Sequence, residues 1–344
     1  MSNQRTKSRA KLIISFFMLV VLLTVWFTVR QVKQYMAPVN PFDRTLVEVH
    51  IPDKTSTHQV SRLLADEELI KNKKVFVWYC RLRGYDSQLK AGLYQFRRSQ
   101  SMDEIIDDLV AGRVVSTRIT IPEGYTLKQM GQLFVAKDIC TPEEWEKAVL
   151  RSRDFDFLRD IPMRENRLEG FLYPDTYRIR RDTTIDQMID MMLKRFAQVW
   201  NQEFADLARE KGMSVYQVVT VAAMIEKEAL FDSERPRIAG VIYNRLQDGM
   251  PLQVDATVLY SLGRHKDQVL LKDLEVDSPY NTYRNTGLPP GPIASPGLAS
   301  LSAALQPENH DYLYYVATSD GHHVFSRTYA EHLKAKNQNQ RKSN

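Results

Sequence analysis

Two carboxylates that follow an apolar segment are the residues best suited to chemistry in this sequence. Residues 218–225 carry one hydroxyl, Thr220, among apolar side chains, and Glu226 and Glu228 come within the next three positions. On an α-helix successive side chains are about 100° apart, so these two acids point in different directions. They cannot both flank one bond, and the sequence therefore predicts one acid catalyst here and not a pair.

Glu226 is the better candidate for that acid. Its helical neighbours at three and four positions are Ala222, Ala223, Ala229 and Leu230. These small apolar residues form a stripe that a ligand could approach, and burial there would favour the protonated carboxyl that a general acid needs near neutral pH. The alternative is that the helix ends at this point and both acids face solvent, which spacing alone does not exclude.

Four polar residues further along the chain suit the binding of a glycan. Amides and tyrosines can bond hydroxyl and acetamido groups, and aromatic faces can stack on sugar rings. Each residue also has a structural alternative: Asp255 could cap a helix that starts near Ala256, and an asparagine could hold a turn. The four candidates are Gln253, Asp255, Tyr280 and Asn281.

The histidines do not form a recognisable metal motif. Four of them cluster near the C-terminus, but no HExxH spacing is present, and adjacent histidines on a strand face opposite ways. No glycine-rich phosphate loop or G-x-S-x-G elbow occurs either. We therefore predict neither a metal site nor a cofactor. The clustered histidines are His310, His322, His323 and His332.

An uncharged apolar segment near the N-terminus predicts a membrane anchor. Residues 12–29 are long enough to span a bilayer as a helix. Four basic residues and no acid precede this segment, and the first acid of the chain is Asp43. The positive-inside rule then predicts a cytoplasmic tail at 1–11 and a span at 12–30. A cleaved signal peptide is the alternative, but no small-x-small cleavage site follows.

Composition excludes several other classes of protein. The 344 residues can form about two domains. The net charge of +5 comes from basic residues near both termini, which leave the middle of the chain net negative and give no support to a nucleic-acid groove. Cys80 and Cys140 are too few for a disulfide framework. One bridge would be compatible with the count, but we expect two buried free thiols.

The pattern of strands and helices predicts an α+β chain. After a linker at 31–44, residues 45–118 alternate short strands with amphipathic helices. Ile51-Pro52-Asp53 recurs as Ile121-Pro122-Glu123, and each copy precedes a helical pattern. This repeat indicates either a small carbohydrate-binding module or a duplicated structural unit. A longer, largely helical region at 119–333 precedes a polar, basic tail at 334–344 that we expect to be disordered.

Local signals predict several element boundaries. Ser214 and Gln217 have the spacing of a capping box at the start of the helix that carries the two acids. The prolines of the loop 278–297 restrict its conformations, and Ser295 with Pro296 predicts the N-cap and first residue of the next helix. A hairpin is expected to turn at Asp320-Gly321.

Five segments in order resemble one known family, the endolytic murein transglycosylases, also called the YceG-like or MltG family. The resemblance extends from the apolar segment to about His332. The segments are LEGFLYPDTY at 168–177, AAMIEKEA at 222–229, RIAGVIYNRLQDGMPLQVDATVLYSLG at 237–263, SPYNTYRNTGLPPGPIASPG at 278–297 and YLYYVATSDGHHVFSRTYAEH at 312–332.

The resemblance implies a single-pass enzyme of the bacterial inner membrane whose catalytic domain faces the periplasm. It implies a LysM-like module at 45–118 before a mixed α+β catalytic domain at 119–333. The substrate would be peptidoglycan glycan strands, and wall-synthesis or division proteins are the partners to look for. The family's catalytic glutamate is the first of its E-K-E motif, which is Glu226 here.

The implied reaction needs one catalytic carboxylate. Glu226 would protonate the leaving oxygen and then take the proton of the C6 hydroxyl of N-acetylmuramic acid, giving a 1,6-anhydro end that could terminate nascent strands. Two other functions remain open from the residues. A hydrolytic glycosidase would use Glu226 as acid and Asp255 as base, and a non-catalytic scaffold would only bind wall glycan.

Overall fold

The computed structural model describes residues 2–159, 161, 166–263 and 269–343, with side chains from 16 to 339. The chain divides into two compact units. The first comprises Met1–Thr117 with Arg178–Asp182, and the second comprises Arg118–Tyr177 with Thr183–Asn344. The architecture is mixed α+β, as the sequence predicts, with three separate two-stranded sheets among the described residues.

The N-terminal helix α1, Ser2–Met36, contains the predicted span. Within the described residues it is the one helix long and apolar enough to cross a membrane, with Phe16–Met36 as the candidate segment. None of this segment is buried against the rest of the protein. Large apolar side chains such as Phe17 and Trp26 are more than half exposed, so a bilayer is the environment that would bury them.

The first unit continues with strands and helices in the predicted places. β1 pairs antiparallel with β2, from Leu46 opposite Arg97 to Ile51 opposite Gly92. Serine capping boxes begin two of its helices because each serine is followed at N3 by a glutamine or glutamate. One face of each element is apolar and buried in a common core. The elements are β1 Leu46–Ile51, α2 Thr57–Asp66, α3 Lys73–Leu82, β2 Gly92–Arg97 and α4 Met102–Ala111.

The second unit is mainly helical and contains the strands β5 and β6, whereas β3 and β4 each have residues in both units. β3 pairs with β4, and β5 with β6; the second pair is the predicted hairpin around Asp320 and Gly321. The elements are β3 Ser116–Thr120, α5 Leu127–Ala136, α6 Pro142–Leu150, β4 Thr176–Arg180, α7 Ile185–Val199, α8 Gln202–Glu210, α9 Val215–Glu228, α10 Arg235–Gln247, α11 Asp255–Leu262, α12 Leu298–Leu305, β5 Tyr314–Ala317, β6 His323–Ser326 and α13 Tyr329–Ser343; 3-10 turns cover Asp156–Leu158, Asp232–Glu234 and Leu271–Glu275.

Helix α9 is the buried centre of this unit. The predicted capping box of Ser214 and Gln217 begins it, and every residue from Val218 to Ile225 is buried. It packs against α8, α10, α11 and α12. Each fully buried valine, isoleucine or methionine contributes about 1.5–3 kcal/mol of transfer free energy. This packing fixes the last turn of α9, so the directions of its acidic side chains are fixed as well.

The prediction that Ser295 caps the helix after the proline-rich loop is wrong. Helix α12 begins at Leu298, and Gly297 is its N-cap. Ser295 is instead extended: its N–H donates to the carbonyl of Tyr125 at 2.9 Å, and its carbonyl accepts from the N–H of Gly124 at 2.8 Å. This long-range pairing uses the backbone of Ser295, and local spacing could not reveal it.

Two smaller expectations have clear outcomes. Cys80 and Cys140 are buried and free, as expected, and burial raises the pKa of the Cys80 thiol to about 12. The tail beyond Lys334, which we expected to be disordered, is helical to Ser343 because α13 continues through it.

Candidate active site

Three consecutive side chains at the end of α9 reach three different surroundings. Their directions differ by about 100° each. Glu226 points to the start of α12 and to α10, Lys227 lines a cavity, and Glu228 contacts β5. The last turn of α9 therefore divides the acids between two sites, as the helical spacing predicts.

Glu226 is held by donors on both of its carboxylate oxygens. Its Oε2 accepts from the hydroxyl of Ser300 at 2.7 Å, from the N–H of Gly297 at 3.0 Å and from the guanidinium of Arg235 at 3.2 Å. Its Oε1 accepts one long bond from Arg235, at 3.4 Å. The guanidinium also bonds Ser300 and Asp232. Oε2 therefore accepts three hydrogen bonds and Oε1 accepts one long one, so Oε1 is the oxygen that can accept a further bond.

The surroundings of Glu226 differ from the apolar stripe that the sequence predicts. The side chains of Glu226 and Arg235 are each 7% exposed, so the alternative in which Glu226 faces solvent is also wrong. The guanidinium of Arg235 and the N-terminus of α12 take the place of an apolar wall. Arg235 is nine residues after Glu226 and begins another helix, α10. The spacing of side chains along α9 therefore could not predict this contact.

A second carboxylate, Glu123, lies on the same side of α9. It packs against Gly297, where an added Cβ would come within 1.9 Å of its Oε1. Partial burial raises the pKa of Glu123, and the negative charge of Glu226 raises it further. The sequence marked Glu123 only as part of a repeat. Gly297 contacts Glu123 and also donates its N–H to Glu226. Glu123, and not Asp255, is therefore the carboxylate next to Glu226.

Glu228 belongs to a separate polar group. Its Oε2 accepts from the hydroxyl of Tyr315 at 3.1 Å. Desolvation raises the pKa of Glu228 to about 7, and the nearby charge of Asp255 adds to this rise. Asp255 itself accepts from the hydroxyl of Tyr283. It is the first residue of α11 and makes no capping bond, so the alternative in which it caps this helix is wrong.

Gln253 lies beside this group on the surface. Its side-chain oxygen accepts from Arg245 at 3.3 Å, and its N–H donates to the carbonyl of Thr282 at 3.1 Å. Its φ of 53° is in the left-handed region, which is uncommon for a residue other than glycine. Strained backbone of this kind is often found at functional sites.

The two candidates of the proline-rich loop have different roles in the structure. Asn281 is fully buried; its amide donates to the carbonyls of Leu274 and Val276, each at 2.9 Å. These bonds match the turn-holding alternative for Asn281. Tyr280 instead accepts a bond from Asn166 at 2.9 Å and packs on the ring of Tyr260 at 4.9 Å.

A buried acid that the sequence did not single out lies close to Tyr280. Glu169 is 3% exposed; its carboxylate accepts from the N–H of Leu127 at 3.0 Å and from the hydroxyl of Tyr260 at 3.1 Å. Desolvation raises the pKa of Glu169 to about 8, against the lowering effect of these bonds. Glu169 is part of the LEGFLYPDTY segment that resembles the family. Its place in that segment is the sequence signal that could have identified it as a candidate.

Glu169 should make the stability of the protein depend on pH. Because its folded pKa is raised from 4.5 to about 8, the bound proton stabilises the fold fully below pH ~4.5, and this stability is lost as pH rises through ~8. The raised pKa of Glu228 acts in the same direction. The free energy of unfolding should therefore fall as pH rises from ~4.5 to ~8. In Glu169→Gln an amide replaces the protonated acid, and the free energy of unfolding should fall less steeply with pH.

Urea unfolding of the full chain in detergent, repeated from pH 5 to 8, measures this slope. Glu210→Gln, at an exposed position, is the matched control and should leave the slope unchanged. If Glu169→Gln and wild type show equal slopes, Glu169 does not hold the proton that we assign to it.

A cavity of about 1010 Å³ adjoins Glu169. Glu226 does not line it, whereas Lys227 does. The cavity and the carboxylate of Glu226 therefore lie on neighbouring faces of the same helical turn. Besides Lys227 and Glu169, its wall includes Lys128, Trp145, Leu150, Asn166 and Tyr260.

Three of the four clustered histidines have hydrogen-bond roles. His322 and His323 bond the carboxylate of Glu234 through their Nδ1 atoms, at 3.1 and 2.8 Å, and His310 bonds the carbonyl of Arg237 at 2.9 Å. These bonds attach the C-terminal hairpin to the turn before Arg235. Within the described ranges no three acidic, histidine or cysteine side chains group as metal ligands would.

Comparison with known proteins identifies the family of the chain. A sequence model of the YceG-like family matches residues 49–338. An endolytic murein transglycosylase of Bacillus subtilis (strain 168) is 37% identical over 320 residues, which are 88% of each chain. One of Streptococcus pneumoniae serotype 2 (strain D39) is 31% identical over 362 aligned positions, covering 94% of this chain and 65% of the relative.

A solved structure extends the comparison to the fold. A yceG-like protein of Listeria monocytogenes has 37% sequence identity and a TM-score of 0.58, covering 85% of this chain and 99% of that one. The family model spans most of the chain, from the first unit through the hairpin beyond α12. The chain belongs to the YceG-like family.

Proposed function

We propose that this chain is a membrane-anchored endolytic transglycosylase of peptidoglycan. It cleaves the bond between N-acetylmuramic acid and N-acetylglucosamine within glycan strands and leaves 1,6-anhydro ends. The observation that carries the proposal is the buried carboxylate of Glu226, held in one orientation by Ser300, Gly297 and Arg235. The names of its relatives, endolytic murein transglycosylases, supply the substrate class.

The two carboxylate oxygens of Glu226 have different tasks. Oε2 takes three donors and fixes the orientation of the group, whereas Oε1 has one long bond and is the oxygen that we assign to transfer of the proton. In the first step this proton passes to the glycosidic oxygen as its bond to C1 breaks. Positive charge then develops at C1 and the ring oxygen, while Arg235 stabilises the carboxylate that remains.

The second step needs no water. The C6 hydroxyl of N-acetylmuramic acid attacks C1, and Oε1 of Glu226 accepts its proton. One C–O bond has broken and one has formed, and Glu226 is again protonated for the next cycle. Because the substrate supplies the nucleophile, a second catalytic carboxylate is not required, in contrast to hydrolytic glycosidases.

The surface residues near Glu228 are proposed to orient the sugars. Gln253 and Asp255 are exposed, and Tyr280 presents a ring and a hydroxyl near the cavity wall. We assign Asn281 to holding the loop that carries Tyr280 and not to contact with substrate. If the enzyme were a hydrolase, Glu123 would be its base, since Asp255 neighbours Glu228.

The anchor and the first unit are proposed to place the enzyme at the wall. The basic residues before α1 support a cytoplasmic N-terminus and a catalytic unit on the periplasmic side of the inner membrane. The strand-helix-helix-strand order of β1, α2, α3 and β2 supports a LysM-like, glycan-binding module within 45–118. Wall-synthesis or division proteins are the protein partners that this placement favours.

The masses of the products test the proposal. Peptidoglycan strands digested with the full chain should give fragments lighter by one water than hydrolysed strands. Fragments with reducing ends would show a hydrolase instead. If the wild-type protein binds strands and releases no fragments, the function is that of a scaffold.

A further inference from the structure

The cavity of about 1010 Å³ in the second unit is not used by the mechanism above. Lys227 lies on its wall, next in sequence to Glu226. A strand bound at Glu226 would therefore lie next to a residue of the cavity wall. We propose that the cavity binds the peptide stem that N-acetylmuramic acid carries; this inference rests on the proposed function.

The charges at the cavity favour an anionic ligand. Lys128 and Lys227 line it, and neither forms an ion pair with a carboxylate within the described ranges. The Nζ of Lys128 donates to the carbonyl of Gly263 at 2.8 Å, and that of Lys227 to the carbonyl of Gly124 at 3.4 Å. Each ammonium group keeps donors for a ligand. The stem has free carboxylates, which the neutral sugar rings lack.

The acids on the wall do not cancel this positive charge. Glu169 is buried, and its raised pKa of about 8 keeps it mostly protonated near neutral pH. Glu146, which is exposed like the two lysines, offsets one of their two positive charges. The two lysines therefore give the cavity a net positive charge.

The rest of the wall fits a short peptide. Trp145, Val149 and Leu150 form an apolar side on α6, and Leu150 is 50% exposed although it lies on this wall. The side-chain NH2 of Gln129, whose Oε1 accepts from the N–H of Thr126, can donate to peptide carbonyls. The cavity is at the upper end of the range for ligand sites, so its size also accommodates several amino-acid residues.

The test compares two substrates with the full-length protein in detergent. One is uncrosslinked glycan strands that carry stems, and the other is the same strands after an amidase has removed the stems. Wild type should have a KM about tenfold lower on stem-bearing strands, the size expected of one charge-assisted hydrogen bond.

Two variants remove the proposed contacts without touching Glu226 or its partners. Lys128→Gln and Leu150→Glu should raise KM on stem-bearing strands about tenfold, while KM on stripped strands changes less than about twofold. Lys128→Arg should retain the preference because it keeps the charge. Lys147→Gln is the matched control, since Lys147 is exposed on α6 and does not line the cavity.

Three results would overturn the inference. The first is that wild type has the same KM on both substrates. The second is that Lys128→Gln raises KM equally on both, which would place a sugar in the cavity. The third is that neither variant changes KM. If no substrate is cleaved, the proposed function fails separately. In that case calorimetry with the free stem peptide decides: binding that Lys128→Gln weakens supports the cavity site, and absence of binding removes it.

Discussion

Replacement of Glu226 by glutamine is expected to lower kcat for strand cleavage by roughly 10²–10⁴-fold, the usual contribution of a general acid. The amide cannot donate the proton that the leaving oxygen needs. The fold should persist, because the amide oxygen can still accept from Ser300 and Gly297 in the place of Oε2. Steady-state rates on purified strands, with circular dichroism as the check of folding, measure this effect.

Glu228→Gln is the matched control for this variant. Glu228 lies two residues further on the same helix, and its pKa of about 7 would suit a general acid on electrostatic grounds alone. Its bond to Tyr315 and its neighbour Asp255 place it in a different group from Glu226. We expect a much smaller loss of kcat. If Glu228→Gln abolishes cleavage and Glu226→Gln does not, the acid has been assigned to the wrong residue.

Replacement of Arg235 by methionine should have the largest effect on stability. The ion pair with Glu226 is buried, with both side chains 7% exposed, and removal of one partner from such a pair costs about 3–5 kcal/mol. Methionine keeps the length and the apolar contacts of the side chain but leaves the carboxylate without its cation.

Arg235→Met should also reduce cleavage. Arg235 bonds both oxygens of Glu226, and a displacement of about 1 Å at a reacting group can cost on the order of 10²-fold in rate. Urea unfolding measures the loss of stability, and kcat measures the loss of cleavage. Arg235→Lys keeps the charge and should recover part of both.

A double-mutant cycle measures the interaction energy between Glu226 and Arg235 apart from the contacts that each makes with other residues. If the pair interacts as the structure shows, the double variant Glu226→Gln with Arg235→Met should lose less stability than the two single losses added together. Additive losses, or an Arg235→Met protein as stable as wild type at every pH, would contradict a buried ion pair at this site.

The sequence predicts those parts of the fold that local interactions determine. Ser214 begins α9 where its capping spacing predicts it, because a capping box involves only residues three positions apart. The burial of α9 is likewise evident from its apolar composition, and the hairpin around Asp320 from its turn residues. Glu226 could be selected because helical geometry separates it from Glu228.

The partners of Glu226 could not be predicted in this way. Arg235 and Ser300 reach the carboxylate from α10 and α12, and only tertiary packing brings these helices to the end of α9. For the same reason Ser295 was assigned to a cap, although its backbone pairs with a segment some 170 residues earlier. Glu169 was missed because its environment arises from Leu127 and Tyr260, which are distant in sequence.

The central claim is that the substrate's own hydroxyl, and not water, attacks C1 after Glu226 has donated its proton. Digestion of stem-bearing strands by the full chain in ¹⁸O-labelled water tests this claim directly, because hydrolysis places one solvent oxygen at every new C1 end. We predict new ends without ¹⁸O, each lighter by one water than a reducing end. Incorporation of ¹⁸O at the new ends would show that water is the nucleophile and would direct the search to Glu123 as its base.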